Sequence, residues 1–346
     1  MNIENYKIRR EATMMEALQQ LNKTETFTLF VVDDEDRVIG ALTDGDIRRA
    51  LIAGKPLDTA VVDICLKTFR YINDATNLPR YIRQLKELGI RLVPYLSAQG
   101  RIERLIDLQK VHGLLPVDAV VMAGGRGERL RPLTDATPKP LLPLGGKPIV
   151  AYNIDRIVSY GISNITLSVR YLGEQIKAYF GDGSQLGACV RYVDEDRPLG
   201  TLGAVSKIHH FTNDTVLVMN SDLFTNIDLE EFYVHFLESD ADMAVASISY
   251  DITVPYAVMQ TVDGLVRAFE EKPTYTYYSN GGIYLIKRSI LESLRENERC
   301  DATDLMQQLI DSGRRVTYFP IVGYWIDIGK LEDYKKAQEL IKYVKR

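Results

Sequence analysis

The segment that decides the fold is AVVMAGGRGERLRPLTDATPKPLLPLGGKP, residues 119–148. Its first residues form an apolar run typical of a buried strand, which leads directly into a turn containing Gly124, Gly125 and Gly127. Without side chains, these glycines let the backbone turn sharply and present amide hydrogens to an anion, for which phosphate is the natural candidate. The spacing matches neither GxxxxGK[ST] nor GxGxxG, so an ordinary glycine turn is the alternative.

The same segment also supplies two cations. Arg129 and Lys139 follow the turn, and Pro138 and Pro140 restrict the backbone on both sides of Lys139. Cationic donors held in this way suit a polyphosphate whose negative charge shifts during a reaction. The segment therefore predicts a phosphate-binding loop after a buried strand.

Strand and helix patterns alternate downstream of this segment. Short continuous apolar runs predict an α/β fold whose parallel strands are covered on both faces. Because ligands of such sheets bind beyond the carboxyl ends of the strands, residues 124–131, 194–203 and 220–224 are expected to share one edge. A helix is predicted over residues 202–211.

Upstream, a different pattern occupies residues 1–115, and the sequence GLLP marks a boundary before a second domain at residues 116–346. Two weakly similar halves each contain a helix followed by two strands. Aligned on each other, they place Val38 on Arg101, an offset of 63 residues. Such a unit buries little surface alone, so the two halves are expected to pack together.

This upstream pattern, with GALTDGDIRRAL as its most specific part, resembles a tandem pair of cystathionine-beta-synthase (CBS) domains, the Bateman module. The resemblance implies that Thr43 and Asp46 hold the ribose of a regulatory adenine or guanine nucleotide, since a carboxylate accepts both hydroxyl protons of a diol. The offset puts Ile106 and Gln109 at these positions of the second repeat, which predicts that its ribose site is lost. Alternatively, Thr43 and Asp46 only cap a helix, and the pair serves assembly.

The downstream segment resembles the signature of the sugar-1-phosphate nucleotidyltransferases. Further matches follow in the same order: LGTLGAV, NSDLF, EEKP, NGGIYL and YWIDIG, so the resemblance covers residues 117–335. It implies a Rossmann-like, GT-A-like domain with a mixed, mostly parallel sheet. The implied reaction joins a nucleoside triphosphate to a sugar 1-phosphate, forming an NDP-sugar and pyrophosphate.

The resemblance also implies a role for each matching residue. The nucleotide would lie against five glycines and two cations: Gly124, Gly125, Gly127, Gly200, Gly203, Arg129 and Lys139. The sugar 1-phosphate would contact Glu271, Lys272, Asn280 and Gly282. Asp222 and Asp327 would hold Mg²⁺, which takes a few hard oxygens together with substrate phosphates. Catalysis would rest on Arg129, Lys139, Asp222 and Lys272.

Two questions stay open on the sequence. The wording RPLGTLGA and the fused CBS pair look most like guanylyltransferases of the mannose, heptose or glucosamine 1-phosphate type, which favours GTP over UTP, dTTP or CTP. Two other classes compete: a nucleotide-sensing regulator with a non-catalytic transferase domain, and a glycosyltransferase, although NSDLF contains no DxD pair. The tyrosine-rich stretch TYTYYSN, residues 274–280, fits either packing or stacking on a sugar or a base.

Composition narrows the other possibilities. The 346 residues carry a net charge of −5 without a run of one sign, which argues against a nucleic-acid partner. No apolar run approaches the roughly 18 residues of a membrane span, and no signal-peptide pattern is visible, so a cytoplasmic protein is expected. Three scattered cysteines predict no zinc site. CBS pairs commonly associate, which predicts a homodimer or higher homo-oligomer.

Overall fold

The computed structural model describes residues 1–73 and 78–344. The chain divides into two compact units, residues 1–114 and 115–346. Each unit has its own clusters of buried apolar side chains.

The first unit consists of short helices and strands. In chain order these are β1 (Lys7–Arg9), α1 (Met14–Leu21), β2 (Thr28–Val32), β3 (Val38–Thr43), α2 (Asp44–Ile52), α3 (Leu78–Glu87), β4 (Leu92–Leu96) and β5 (Ile102–Asp107). Strand β2 pairs with β1 in parallel and with β3 in antiparallel orientation, and β4 and β5 form a separate antiparallel pair.

The order of helix, strand and strand repeats in this unit, but the predicted offset is wrong by one residue. Strands β2 and β4 begin at Thr28 and Leu92, so the spacing is 64 residues. The positions of Thr43 and Asp46 therefore fall on Asp107 and Lys110 instead of Ile106 and Gln109. The two halves are only weakly similar in sequence, so comparing them did not fix the offset to the exact residue. The difference matters because a shift of one residue moves every strand side chain to the opposite face of the sheet.

The second unit contains the remaining elements. They are β6 (Val117–Ala123), β7 (Pro143–Leu144), β8 (Lys147–Pro148), α4 (Ile149–Ser159), β9 (Asn164–Val169), α5 (Gly173–Phe180), β10 (Cys189–Asp194), α6 (Gly200–Gly203), β11 (Thr215–Asn220), β12 (Leu223–Thr225), α7 (Leu229–Glu238), β13 (Met243–Thr253), β14 (Val258–Val262), β15 (Leu265–Glu270), β16 (Thr274–Lys287), α8 (Arg288–Leu291), α9 (Ala302–Asp311), β17 (Val316–Pro320), β18 (Trp325–Asp327) and α10 (Leu331–Leu340).

A seven-stranded sheet forms the centre of this unit, in the order β10-β9-β6-β11-β16-β13-β17. Only β16 pairs antiparallel with both neighbours, so the sheet is mixed and mostly parallel, which confirms the expected fold class. Apolar side chains of α4 and α7 cover one face, among them Ile154 and Phe232. Helix α9 covers the other face with Leu305 and Leu309.

The predicted helix over residues 202–211 is wrong. Helix α6 spans only Gly200–Gly203, and a single 3-10 turn follows at Val205–Lys207. A Cβ at Gly203 would lie 2.5 Å from the carbonyl oxygen of Glu298, so the backbone packs directly on that segment. This tertiary contact, together with the low helix propensity of glycine, outweighs the apolar pattern that predicted a longer helix.

Strands β13 and β16 continue beyond the sheet as a two-stranded ribbon. Their pairing runs from Ser247 opposite Asn280 to Thr253 opposite Thr274. Neighbouring strands stop earlier, since β17 ends at Pro320 and β11 reaches only Ile283. The hairpin of β14 and β15 extends from the far end of the ribbon. We call residues 248–279 the arm; the sequence analysis did not predict it.

Candidate active site

The carboxyl ends of β6, β10 and β11 meet at one edge of the central sheet because these strands run parallel. The structure therefore brings residues 124–131, 194–203 and 220–224 to the same edge, where the α/β pattern predicted them. The short antiparallel pair of β12 and β18 places Leu223 opposite Asp327. Through this pair, a distant part of the chain joins the edge.

The glycine turn follows β6 and packs closely on its surroundings. Gly127 has a φ of 63°, which favours glycine, and a Cβ there would lie 2.9 Å from the Cβ of Lys139. The Thr134 hydroxyl donates to the Gly127 carbonyl at 2.9 Å, which holds the end of the turn. Gly125 is exposed, and a Cβ there would meet no atom within 4 Å. The backbone of the turn is thus accessible at Gly125, and at Gly127 it packs against the aliphatic part of the Lys139 side chain.

Lys139 reaches from this turn to the end of β11. Only 9% of its surface is exposed, and its ammonium group donates to the carboxylate of Asp222. A buried ammonium group needs such a partner because an unpaired charge is strongly disfavoured away from water. The pair holds a cation and a carboxylate together beside the glycine turn.

Asp222 and Asp327 are neighbours at this edge. The Ile328 amide donates to the Asp222 carbonyl at 3.0 Å, which continues the pairing of β12 with β18. Asp327 is exposed at the surface, yet the protein packed around it removes enough water to raise its pKa, and the charge of Asp222 raises this pKa further. Lys139 and Arg129 oppose the rise without cancelling it.

Arg129 lies beside Asp327. A Cβ at Gly329 would lie 3.3 Å from an Arg129 nitrogen and 3.6 Å from Asp327 Oδ1. Two cations and two carboxylates therefore share this edge with the glycine turn. This arrangement can bind an anionic ligand together with a divalent cation.

A metal site can be built here from two protein ligands. Within residues 1–73 and 78–344, no group of three or more His, Cys, Asp or Glu side chains is arranged to hold a metal ion. The two neighbouring aspartates repel each other, which a divalent cation between them would relieve. Their hard oxygens suit Mg²⁺, which completes its shell with waters and substrate phosphates. The donor set fits that ion.

Glu195 is a residue of this edge that the sequence analysis missed. Its carboxylate accepts from the Ser168 hydroxyl and, at 3.4 Å, from the Leu199 amide. A Cβ at Gly124 would lie 2.5 Å from Glu195 Oε1, so the carboxylate touches the glycine turn. Each oxygen retains acceptor capacity, since an ionised carboxylate offers about four lone-pair sites.

Strand alternation is the signal that could have found Glu195. Asp194 pairs with Lys177 at 2.9 Å, and Asp196 pairs with Lys207 at 3.0 Å. The side chain of Glu195, between these two acids, points instead toward the glycine turn. Residues 194–196 are three consecutive acids. Which of them faces the glycine turn cannot be decided until the register of β10 is known.

The remaining predicted ligands of the nucleotide and sugar fall into two groups. Gly200 has a φ of 77°, and a Cβ there would lie 2.7 Å from the Cys300 carbonyl, so packing already requires glycine. A Cβ at Gly282 would lie 2.6 Å from Asn220 Nδ2 at the end of β11, and Asn280 Oδ1 accepts from the Gly282 amide at 2.9 Å. These residues lie near the sheet edge.

Glu271 and Lys272 lie elsewhere. Both are exposed in the turn between β15 and β16, where the β14–β15 hairpin joins the ribbon. At about 3.3 Å per strand residue, the eight residues from Thr274 to Gly282 correspond to about 26 Å of extended chain. Among the described residues, neither side chain forms a hydrogen bond or an ion pair with Asp222 or Asp327, and their role with the sugar phosphate stays a prediction.

Thr43 and Asp46 form a helix cap at the start of α2. The Thr43 amide and hydroxyl donate to Asp46 Oδ2 at 2.8 and 2.6 Å, and Arg49 donates to Oδ1 at 2.6 Å. This is the capping arrangement that the sequence analysis kept as the alternative. Binding of a ribose there stays a prediction, since both Asp46 oxygens already have donors.

Comparison with known proteins gives the family. The model of the nucleotidyl transferase family matches residues 118–343, and that of the CBS domain matches residues 1–53. The chain belongs to the nucleotidyl transferase family and carries a CBS domain in its first unit. Among the residues that the structure describes, no helix is long and apolar enough to cross a membrane.

Several relatives are guanylyltransferases. A mannose-1-phosphate guanylyltransferase of Mycobacterium tuberculosis is 33% identical over 64% of this chain and 63% of its own length. A D-glycero-alpha-D-manno-heptose 1-phosphate guanylyltransferase of Aneurinibacillus thermoaerophilus is 31% identical over 66% of this chain and 99% of its own length. The crystal structure of HddC from Yersinia pseudotuberculosis complexed with GMP-PN has a TM-score of 0.51 and 26% identity, and it covers 65% of this chain and 99% of that one. The chain thus spans slightly less than two thirds of the mycobacterial relative.

The raised pKa of Asp327 predicts that the Asp327→Asn variant is more stable than the wild type at neutral pH. The folded state holds the Asp327 proton more tightly than the unfolded state, so its ionised form destabilises the wild type above the raised pKa. Solvent screening limits the gain to about 0.5 kcal/mol.

Below the ordinary carboxyl pKa of about 4, the advantage should vanish because both states are then protonated. Urea unfolding followed through Trp325, the only tryptophan of the chain, measures it across this pH range. A variant equally or less stable at pH 7 would contradict the expectation.

Proposed function

We propose that this protein is a sugar-1-phosphate guanylyltransferase that uses GTP and Mg²⁺. The observation that carries the proposal is the convergence, at one sheet edge, of the glycine turn, the Lys139–Asp222 pair and the neighbouring Asp327. This combination suits a polyphosphate bound with a divalent cation. Membership of the nucleotidyl transferase family supports the same reaction class.

The reaction follows from the charges at the edge. An oxygen of the sugar 1-phosphate attacks the α-phosphorus of the triphosphate, a new P–O bond forms, and pyrophosphate leaves with the electron pair of the broken bond. The attacking oxygen is already anionic, so no general base is needed. Catalysis then rests on aligning the two phosphates and on balancing negative charge by Arg129 and Lys139.

Asp222 and Asp327 would hold Mg²⁺, which neutralises and orients phosphate oxygens when bound. Lys139 already donates to Asp222, so this lysine also positions the carboxylate beside the phosphates. Asp327 must be ionised to act as a ligand, so its raised pKa predicts that activity falls as the pH is lowered through that pKa.

Asp222→Asn and Lys139→Ala are each expected to lower turnover at least about 100-fold, the scale seen when one stabilising group is removed from a transition state. Pyrophosphate release with GTP and a panel of sugar 1-phosphates measures the loss. Mannose 1-phosphate and heptose 1-phosphate come first in the panel because the two named relatives act on these sugars.

Arg314→Ala is the matched control, since this exposed arginine pairs with Asp242 outside the edge. Near-normal turnover of either site variant would refute the role of that residue. Absence of pyrophosphate release from the wild type with every triphosphate would favour a non-catalytic, nucleotide-sensing protein. Transfer of sugar to an acceptor would favour a glycosyltransferase.

Glu195 supports GTP over UTP and dTTP. Guanine presents two adjacent donors, its ring N–H and its amino group, and a carboxylate can accept both side by side. Uracil and thymine present one donor between two carbonyl oxygens, which a carboxylate would repel. The carboxylate lies against Gly124 and the Leu199 turn, at the edge where the nucleotide is expected.

Glu195→Gln is expected to lower kcat/KM for GTP about 10- to 100-fold, because a good bidentate contact contributes about 1–3 kcal/mol of base discrimination. Activity with UTP or dTTP should stay constant or rise, since the amide can donate to a carbonyl. Asp196→Asn, the same chemical change at the neighbouring exposed acid, is the control. If both variants keep the wild-type preference for GTP over UTP and dTTP, Glu195 does not recognise the base. The proposed reaction class would still stand after that result.

We also propose that the CBS domain carries a regulatory nucleotide at Thr43 and Asp46. For a ligand to bind there, Asp46 must exchange the hydroxyl of Thr43 or the guanidinium of Arg49 for ribose hydroxyls. Titration calorimetry of the full chain with AMP, ADP, ATP and GDP tests this. Binding that Asp46→Ala abolishes and Asp44→Ala preserves is expected, whereas no binding by any nucleotide would leave the domain a role in assembly.

A further inference from the structure

Three neighbouring strands of the central sheet end at the same level. Ala123 at the end of β6 pairs with Val169 of β9, and Val169 pairs with Asp194 of β10. One residue further along, three positions lie side by side at the edge of the sheet: Gly124, Arg170 and Glu195. A Cβ at Gly124 would lie 3.4 Å from the Arg170 Cβ and 2.5 Å from Glu195 Oε1, so both side chains border the glycine.

Arg170 uses only part of its donor capacity. Its Nε donates to the Gly124 carbonyl at 3.3 Å, and the side chain is half-buried. An arginine has five N–H donors. In the part of the chain that the structure describes, Arg170 forms no ion pair, and neither does Glu195 beside it. Because an unpaired charge away from water is disfavoured, the two side chains suit a ligand that presents acceptors to the cation and donors to the carboxylate.

The strand order separates this part of the edge from the two aspartates. The strands follow one another as β10, β9, β6 and β11, and Asp222 comes two residues after β11. At about 4.8 Å between neighbouring strands, the end of β9 lies about 10 Å from the end of β11. A nucleotide whose phosphates lie beside Asp222 and Lys139 would therefore extend along the edge and place its base at Arg170 and Glu195.

Guanine matches these two side chains group by group. Its O6 and N7 are adjacent acceptors, to which the fork of an arginine can donate two hydrogen bonds. Its N1–H and 2-amino group are adjacent donors to a carboxylate. Adenine and cytosine carry an amino group in place of the O6 carbonyl, and uracil and thymine have no N7 beside their carbonyl. Because a carboxylate accepts from any amino group, Glu195 alone would not exclude ATP or CTP.

We propose that Arg170 is a specificity-determining residue that donates to O6 and N7 of guanine, while Glu195 accepts from N1–H and the 2-amino group. The inference rests on the proposed use of GTP. It adds the group that rejects ATP and CTP, because the guanidinium would face the amino group of adenine or cytosine. No side chain at Gly124 separates the two residues, so one base can contact both.

Binding of base analogues to the full chain tests this contact without relying on turnover. In 7-deaza-GTP a carbon atom replaces N7, so the arginine loses one of its two acceptors. In titration calorimetry with Mg²⁺, the wild type is expected to bind GTP about 10-fold more tightly than 7-deaza-GTP, the scale of a good contact to a base edge. Arg170→Met removes the guanidinium and should bind the two nucleotides equally well.

Inosine triphosphate, which lacks the 2-amino group, tests the edge of the base that is assigned to Glu195. The preference for GTP over inosine triphosphate should persist in Arg170→Met and disappear in Glu195→Ala. Arg191→Met is the matched control, since Arg191 is exposed in the middle of β10, where it pairs with Thr166. This control should keep both preferences of the wild type.

The choice among natural nucleotides gives an independent measurement. The wild type is expected to bind GTP more tightly than ATP, and Arg170→Met should reduce this ratio about 10-fold or more, because the guanidinium no longer opposes the amino group of adenine. A wild type that binds ATP as tightly as GTP would contradict the proposal.

Three results with the analogues would overturn the role of Arg170. These are equal binding of GTP and 7-deaza-GTP by the wild type, a preference for GTP over 7-deaza-GTP that Arg170→Met retains, and loss of both analogue preferences in that variant, which would indicate that the arginine only shapes the site. A wild type that shows the expected preferences but releases no pyrophosphate would instead refute the proposed reaction and leave the role of Arg170 standing. No binding of GTP would refute both.

Discussion

The candidate site depends on the pairing of two very short strands, β12 and β18. Asp222 directly precedes β12, and Asp327 is the last residue of β18, so three backbone pairs decide that two carboxylates meet. Lys139 then joins Asp222 from the loop after β6. Without this pairing, the sheet edge would still collect the glycine turn and the end of β11, but it would lack the second carboxylate.

Holding the carboxylates of Asp222 and Asp327 close together destabilises the folded protein. Removal of water and repulsion by Asp222 raise the pKa of Asp327, and the nearby cations compensate only in part. Such tension is common where a ligand completes the charge balance, because the groups are arranged for the loaded state. A polyphosphate with Mg²⁺ would supply both the missing positive charge between the aspartates and the anion that the cations face.

Close packing around the site explains several glycines. Gly124 leaves space for Glu195, Gly127 for the stem of Lys139, and Gly203 for the backbone of residue 298. The arm is the opposite case, since many of its apolar side chains, such as Tyr250 and Phe269, are more than half exposed. One chain therefore contains a tightly packed sheet edge, where a Cβ added at Gly124, Gly127 or Gly203 would collide, and a largely exposed arm.

Local patterns in the sequence were sufficient for the α/β class, the glycine turn after β6 and the meeting of three stretches of the chain at one edge. These features follow from short-range physics: apolar runs form buried strands, glycines permit a tight turn, and parallel strands end together. The motifs NSDLF and WIDIG pointed to Asp222 and Asp327, although nothing local says that the two approach each other.

Tertiary structure decided the rest, because each remaining feature depends on which face of a strand meets which neighbour. A difference of one residue in register put Asp107 instead of Ile106 at the position equivalent to Thr43. The register of β10 turned Glu195, instead of Asp194 or Asp196, toward the glycine turn. Packing on residues 298–301 ended the helix predicted over residues 202–211. Pairing between distant segments created the arm, and no local signal encodes such pairing.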